Sequence, residues 1–164
     1  MPETIEKLAV ALGNRLKRLE WKLVTAESCT GGGLAAAITS IPGSSDWFDR
    51  GFVTYSNAAK EEMLAVHRGT LHRFGAVSEH TVLEMADGAL QRSCAQVSLA
   101  TTGIAGPGGG SPDKPVGTVW IGWQHVRGDE GASVYVFPGH REHIRTLTVR
   151  TALECLIQFI DSEQ

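Results

Sequence analysis

The sequence predicts an α/β fold, a three-layer α/β/α sandwich around one mixed sheet. Three observations carry this expectation. Helix-period segments alternate with short apolar strands through the first part of the chain, the order that wraps helices over both faces of a sheet. Two further strand patterns then follow each other directly, joined by Arg127-Gly128-Asp129-Glu130-Gly131, which adds a hairpin. A length of 164 residues, with 42% apolar and 20% charged side chains, suits one domain over residues 1–164 with a substantial core.

Residues 4–19 space Ile5, Leu8, Leu12, Leu16 and Leu19 three or four apart behind Thr4, predicting a capped helix with one buried stripe. Residues 22–26 read as a strand with Ser28 at its end. Thr30 and three glycines then open a helix that stops at the turn around Pro42 and Gly43. Residues 52–55 read as a second strand, and Asn57 as the cap of a helix through Met63 and Leu64. Ser78 starts another helix with Val82, Met85, Ala89 and Leu90 inward. Residues 97–102 are a third strand, followed by the run GIAGPGGGSPDKP. Residues 117–125 and 132–137 form the hairpin, and a last helix spans 140–160 with Ile144, Leu147, Thr151 and Phe159 near its inner face. Strands end at Glu27-Ser28, Tyr55 and Thr102-Gly103, and in such sheets ligands sit beyond the carboxyl ends of strands. The three segments are expected to share one crevice.

A formal charge of -3 argues against general nucleic-acid binding, so an anionic ligand must be held by a few local groups, as a small molecule is. Cys29, Cys94 and Cys155 are too few and too scattered for a disulfide framework or a zinc site and are expected as reduced thiols. The amphipathic start is unlike a secretory or transit signal, and no apolar run reaches the roughly 18–20 residues that cross a bilayer. A soluble cytoplasmic protein without membrane contact is expected.

Four segments can carry chemistry. In TAESCTGGG, Ser28 lies between a strand end and a glycine-opened helix. It either caps that helix or points its hydroxyl into a cleft, with the N–H groups of Thr30, Gly31 and Gly32 facing a developing oxyanion. Cys29 is a rival nucleophile with no base paired to it. In GFVTYSNAAKEEM, Lys60 follows Tyr55 by five residues: it is either solvated beside Glu61 and Glu62, or a buried amine of depressed pKa that serves as base. Tyr55 would then position that amine or relay its proton. The histidines (His67, His72, His80, His125, His140 and His143) fit solvated surface positions better. In TTGIAGPGGGSPDKPVG, the glycines can bring backbone N–H groups close to an anion, although the spacing is neither a Walker loop nor a dinucleotide fingerprint. In FPGHREHIR, Arg141 and Arg145 stand four apart at the start of the last helix, either on an anionic ligand or paired with Glu142 and Glu154.

The strings TAESCTGG, GFVTYSNAAK, GAVSE, TTGIAGPGGG, KPVGTVW and FPGHR, in this order over about residues 4–160, resemble the CinA-type C-terminal domain family. The resemblance implies a CinA C-terminal-domain-like α/β/α sandwich. For a stand-alone chain it implies an amidase that converts nicotinamide mononucleotide to nicotinate mononucleotide and ammonia, returning a breakdown product of NAD to synthesis. By similarity Ser28 is the nucleophile, Lys60 and Tyr55 complete the catalytic group, and Thr102 with Gly103, Gly106 and Gly108 holds substrate. Arg141, helped by Arg145, takes the 5′-phosphate. No cofactor or metal is required, and a homodimer is expected from the family. A non-catalytic nucleotide-binding domain linked to competence or DNA processing is the alternative, though it leaves Ser28, Tyr55 and Lys60 without a shared task. An amidase for another amide, such as free nicotinamide, is a further one, with little use for Arg141.

Overall fold

Thr4 accepts a hydrogen bond from the N–H of Lys7 (3.2 Å) and starts α1 (Ile5–Leu19), as the pattern requires. The computed structural model describes residues 4–163. After α1 the chain runs through β1 (Leu23–Glu27), α2 (Gly33–Thr39), a 3₁₀ turn (Ser44–Asp46), β2 (Phe48–Val53), α3 (Asn57–Leu64), α4 (Arg68–Phe74) and α5 (Glu79–Gln91). Then come β3 (Val97–Gly103), β4 (Thr118–His125), β5 (Glu130–Val136) and α6 (Arg141–Ser162).

The sheet has the order β2-β1-β3-β4-β5, with β1 parallel to both neighbours and the β3-β4 and β4-β5 pairs antiparallel. It is the expected mixed sheet. Alternation along the strands divides the apolar side chains between two clusters. Leu23, Leu99 and Ile121 meet Leu12, Leu34 and Leu153 of α1, α2 and α6 on one face. Val24, Ala26 and Ala100 meet Leu64, Leu71, Val82 and Met85 of α3, α4 and α5 on the other. Each face thus buries a layer of helices, and β1 and β3, covered on both sides, are apolar or small nearly throughout.

Several elements depart from expectation. β2 begins at Phe48, and Thr54 and Tyr55 lie beyond it. Its Asp49-Arg50-Gly51 centre is a polar sheet edge held by pairing with β1, so it carries no apolar alternation. Ser56, not Asn57, caps α3, accepting from the N–H of Ala59 at 3.0 Å. α4 was not expected, since it buries Leu71 alone and has no helical stripe to read. His125 is 3% exposed, not solvated; its Nδ1 accepts from the N–H of Arg127 (3.0 Å) and its ring packs on Trp21.

Candidate active site

Ser28 stands one residue past the carboxyl end of β1. Its N–H donates to the carbonyl of Thr101 (3.0 Å), which extends the β1-β3 ladder by one bond before the chain turns. The turn closes as Gly31 N–H donates to the Ser28 carbonyl (3.0 Å) and Gly33 N–H to that of Thr30 (2.9 Å). Gly31 and Gly32 hold φ of +57° and +99°, a region that side chains avoid. α2 therefore starts at Gly33, with Gly32 as its cap.

The capping role considered for Ser28 belongs instead to Glu27. This carboxylate, 1% exposed, accepts from the Thr30 hydroxyl (2.6 Å) and from the N–H groups of Leu34 (2.8 Å) and Ala35 (3.0 Å). It takes the positive end of α2 that would otherwise be an anion site. Freed from capping, the Ser28 hydroxyl faces a cleft.

Lys60 reaches that cleft from the first turn of α3, and its side chain is 1% exposed. Nζ lies 2.9 Å from Ser28 Oγ, 2.9 Å from the carbonyl of Thr54 and 3.1 Å from that of Tyr55. The charged amine can donate to all three oxygens. The neutral amine has two N–H bonds and one lone pair: the carbonyls take the N–H groups, which leaves the lone pair on the serine hydroxyl. Burial lowers the Lys60 pKa to about 8 against the weaker opposing influence of Cys29, so a neutral fraction exists near pH 7. The rival nucleophile is pushed the other way, since burial raises the Cys29 thiol to about 12.

The cleft, about 220 Å³, is lined by Ser28, Cys29, Tyr55, Lys60, Ala76, Val77, Thr102, Gly103, Ala105 and Arg141. The three strand-end segments do share one crevice. Of the two tasks expected of Tyr55 the structure shows the positioning one, made by the backbone: its carbonyl accepts from Lys60 Nζ, while its 60% exposed side chain accepts from Arg141 Nη2 (3.0 Å) at the rim. Arg141 Nη1 donates to the carbonyl of Gly106 (2.8 Å), so the guanidinium bridges the glycine loop and Tyr55 across the mouth. Thr102 donates its hydroxyl to the carbonyl of Ala76 (2.8 Å) and so holds the 76–77 wall. Gly103 opposes Val119, and because Ile104 N–H bonds the Thr118 carbonyl (2.9 Å), the Gly103 N–H turns toward the side where β1 has already ended.

Other expected groups lie elsewhere. Thr30, Gly31 and Gly32 do not line the cleft, and the Gly31 N–H is spent on the Ser28 carbonyl. Arg145 is also outside it, on the opposite face of the turn, where it lines a second hollow with Thr30, Gly33 and Val149. Gly108 is exposed in the loop beyond the cleft. Glu27, Ala76 and Val77 carry no sequence signal for their places here: Glu27 acts through backbone seven and eight residues away, and the other two are small and apolar. Among the described residues no group of three His, Cys, Asp or Glu side chains is placed to hold a metal ion.

Residues 5–160 match the CinA C-terminal domain. The chain is 50% identical to a nicotinamide-nucleotide amidohydrolase PncC of Enterobacter agglomerans, over 94% of this chain and 96% of that one. It is 47% identical to a CinA-like protein of Akkermansia muciniphila over 94% of its own length, but spans only 36% of that longer protein. A crystal structure of a competence/damage inducible protein from Agrobacterium tumefaciens superposes with a TM-score of 0.93 at 50% identity, covering 96% of both chains. One from Klebsiella pneumoniae reaches 0.95 at 38% identity, covering 99% of this chain and 100% of that one. The chain belongs to the CinA C-terminal domain family.

Proposed function

We propose that the protein hydrolyses the carboxamide of nicotinamide mononucleotide, releasing ammonia and nicotinate mononucleotide, with Ser28 as nucleophile and Lys60 as base. The carrying observation is the 2.9 Å approach of Lys60 Nζ to Ser28 Oγ, with the remaining amine hydrogens held by two backbone carbonyls. Relatives named nicotinamide-nucleotide amidohydrolase, about 50% identical over nearly the whole chain, support the substrate.

Neutral Lys60 takes the Ser28 proton as Oγ adds to the amide carbon. The carbonyl oxygen gains charge and meets the Gly103 N–H at the cleft wall; one such donor contributes about 3–4 kcal/mol. The lysine ammonium returns the proton to the departing nitrogen, the C–N bond breaks, and ammonia leaves an ester on Ser28. Water, deprotonated by the same amine, adds to that ester and frees the acid. The cleft is small for a ligand pocket, so it holds the ring and its carboxamide while the ribose phosphate extends over the rim to Arg141. The scheme uses no metal or cofactor. In the same reading the enzyme works in the cytoplasm, recycles pyridine nucleotides and acts as a homodimer; no helix among the described residues is long and apolar enough to cross a membrane.

The test is ammonia release from nicotinamide mononucleotide by wild type and Ser28→Ala, with a chelator present. Activity lost only in the folded variant supports the reading. A wild type that binds the mononucleotide without releasing ammonia sinks it in favour of a non-catalytic nucleotide domain.

A further inference from the structure

The Ser28 turn is gripped from its far side. Arg145, from α6, donates Nε to the carbonyl of Cys29 (3.0 Å) and Nη2 to that of Thr30 (3.1 Å), a two-pronged hold on successive backbone oxygens. A Cβ on Gly31 would come within 3.2 Å of that Nη2, so the glycine leaves room for the guanidinium. Glu27 answers from the other polarity, holding the Thr30 hydroxyl and the first N–H groups of α2. The Thr30 hydroxyl also meets Thr101 Oγ1 at 2.9 Å, which ties the turn to β3.

These contacts matter because they add to the two backbone bonds of Ser28, its N–H to the Thr101 carbonyl and its carbonyl from the Gly31 N–H, by fixing the rest of the turn that carries the nucleophile. Among the described residues, Ser28 Oγ has beyond Lys60 only a 3.4 Å bond to the Tyr55 carbonyl, so its position follows the backbone of its turn. That backbone contains two successive glycines at positive φ, the most permissive residues a chain can use. We propose that Arg145 and Glu27 are positioning residues that hold the turn so that Ser28 Oγ meets Lys60, and that Arg145 does not bind the substrate's phosphate. The same helix therefore performs two separate tasks four residues apart: Arg141 faces the cleft mouth and Arg145 the back of the turn. The guanidinium presents Nε and Nη2 to the two carbonyls as one rigid planar fork, whereas an ammonium is a point charge on a flexible stem and fixes that geometry less firmly.

The proposal rests on Ser28 as nucleophile, and its test has one arm that uses the proposed substrate and one that does not. Arg145→Lys, Arg145→Met and Glu27→Gln are compared with wild type on nicotinamide mononucleotide and on nicotinamide riboside, which lacks the phosphate. A displaced nucleophile costs kcat, so kcat is expected to fall by about tenfold to a hundredfold. KM for the mononucleotide is expected to stay within about twofold, and the preference for it over the riboside to persist. Arg145→Lys should retain more activity than Arg145→Met. A raised KM together with a lost preference would overturn the proposal and make Arg145 a phosphate ligand; an unchanged kcat in all three variants would also overturn it.

In the second arm, the rate at which a fluorophosphonate modifies Ser28 is expected to fall about tenfold in Arg145→Lys and Glu27→Gln. Equal rates would refute the clamp. Because this readout needs no amide, it tests the clamp even if wild type leaves the mononucleotide intact. Circular dichroism restricts the comparison to folded variants, and Glu27→Gln tests the opposite end of the turn if Arg145→Met does not fold.

Discussion

Raising the pH from 7 to 9 carries Lys60 from mostly charged to mostly neutral, and the rate should follow. With the amine at about 8, the neutral fraction is about 0.09 at pH 7 and about 0.9 at pH 9. If the neutral amine is the base, kcat/KM, which reports the free enzyme, rises about tenfold over this interval and levels off near pH 9. A solvated lysine with its ordinary value near 10.4 would give a different curve, climbing about a hundredfold over the same range and still rising at pH 10. The nearest rival cannot produce the same limb, because the Cys29 thiol is held up near 12 and stays protonated throughout. The assay is initial ammonia release at substrate concentrations well below KM, from pH 6 to 10. A flat profile, or a steep climb without a plateau, would refute the assignment of Lys60 as the base.

Other outcomes follow from the same geometry. Ser28→Ala and Lys60→Ala should each lower turnover by about four orders of magnitude or more while circular dichroism stays native; substantial turnover in the lysine variant would point to another base. Arg141→Ala should raise KM for the mononucleotide about tenfold to a hundredfold with a small change in kcat, because charge-assisted hydrogen bonds contribute about 1.5–3 kcal/mol; the riboside should show no such rise. Gly13→Val should destabilise the protein by about 1–3 kcal/mol in thermal denaturation, since a Cβ at Gly13 would lie 2.6 Å from the Trp47 ring. His125 has its folded pKa lowered, by burial first and then by Arg127, so its protonation favours the unfolded chain. Its contribution to stability is present above about pH 6.5 and is lost as pH falls through the folded value. The melting temperature should therefore drop between pH 7 and 5, and His125→Phe should flatten that part of the curve.

Most of the layer order was legible because it depends on local periodicity. The stripe from Ile5 to Leu19, the inward set on α5 and the two-sided apolar strands β1 and β3 each carry their burial in their own spacing. β2 and α4 were not fully legible for the complementary reason. One is a polar edge held by its neighbour's backbone, the other a seven-residue helix with a single buried residue. Ser28, Tyr55, Lys60, Thr102, Gly103 and Arg141 were legible as candidates, since each sits at a strand end or helix start and each now lines one cleft.

Their tasks were less legible. Glycines after a serine suggest free N–H groups, yet the N–H of Gly31 is bonded and the start of α2 is covered by Glu27. Tyrosine suggests a phenol beside the amine, yet it is the Tyr55 carbonyl, with that of Thr54, that accepts from Lys60. The sequence by itself determined the layers, the family and the candidate residues for the chemistry, because those depend on spacing and residue type. Only the tertiary structure decided that Lys60 is buried against Ser28, and that two arginines one helical turn apart face opposite sides of the same turn. Desolvation and backbone hydrogen bonds are set by what packs around a residue, and those neighbours come from parts of the chain up to 116 positions away.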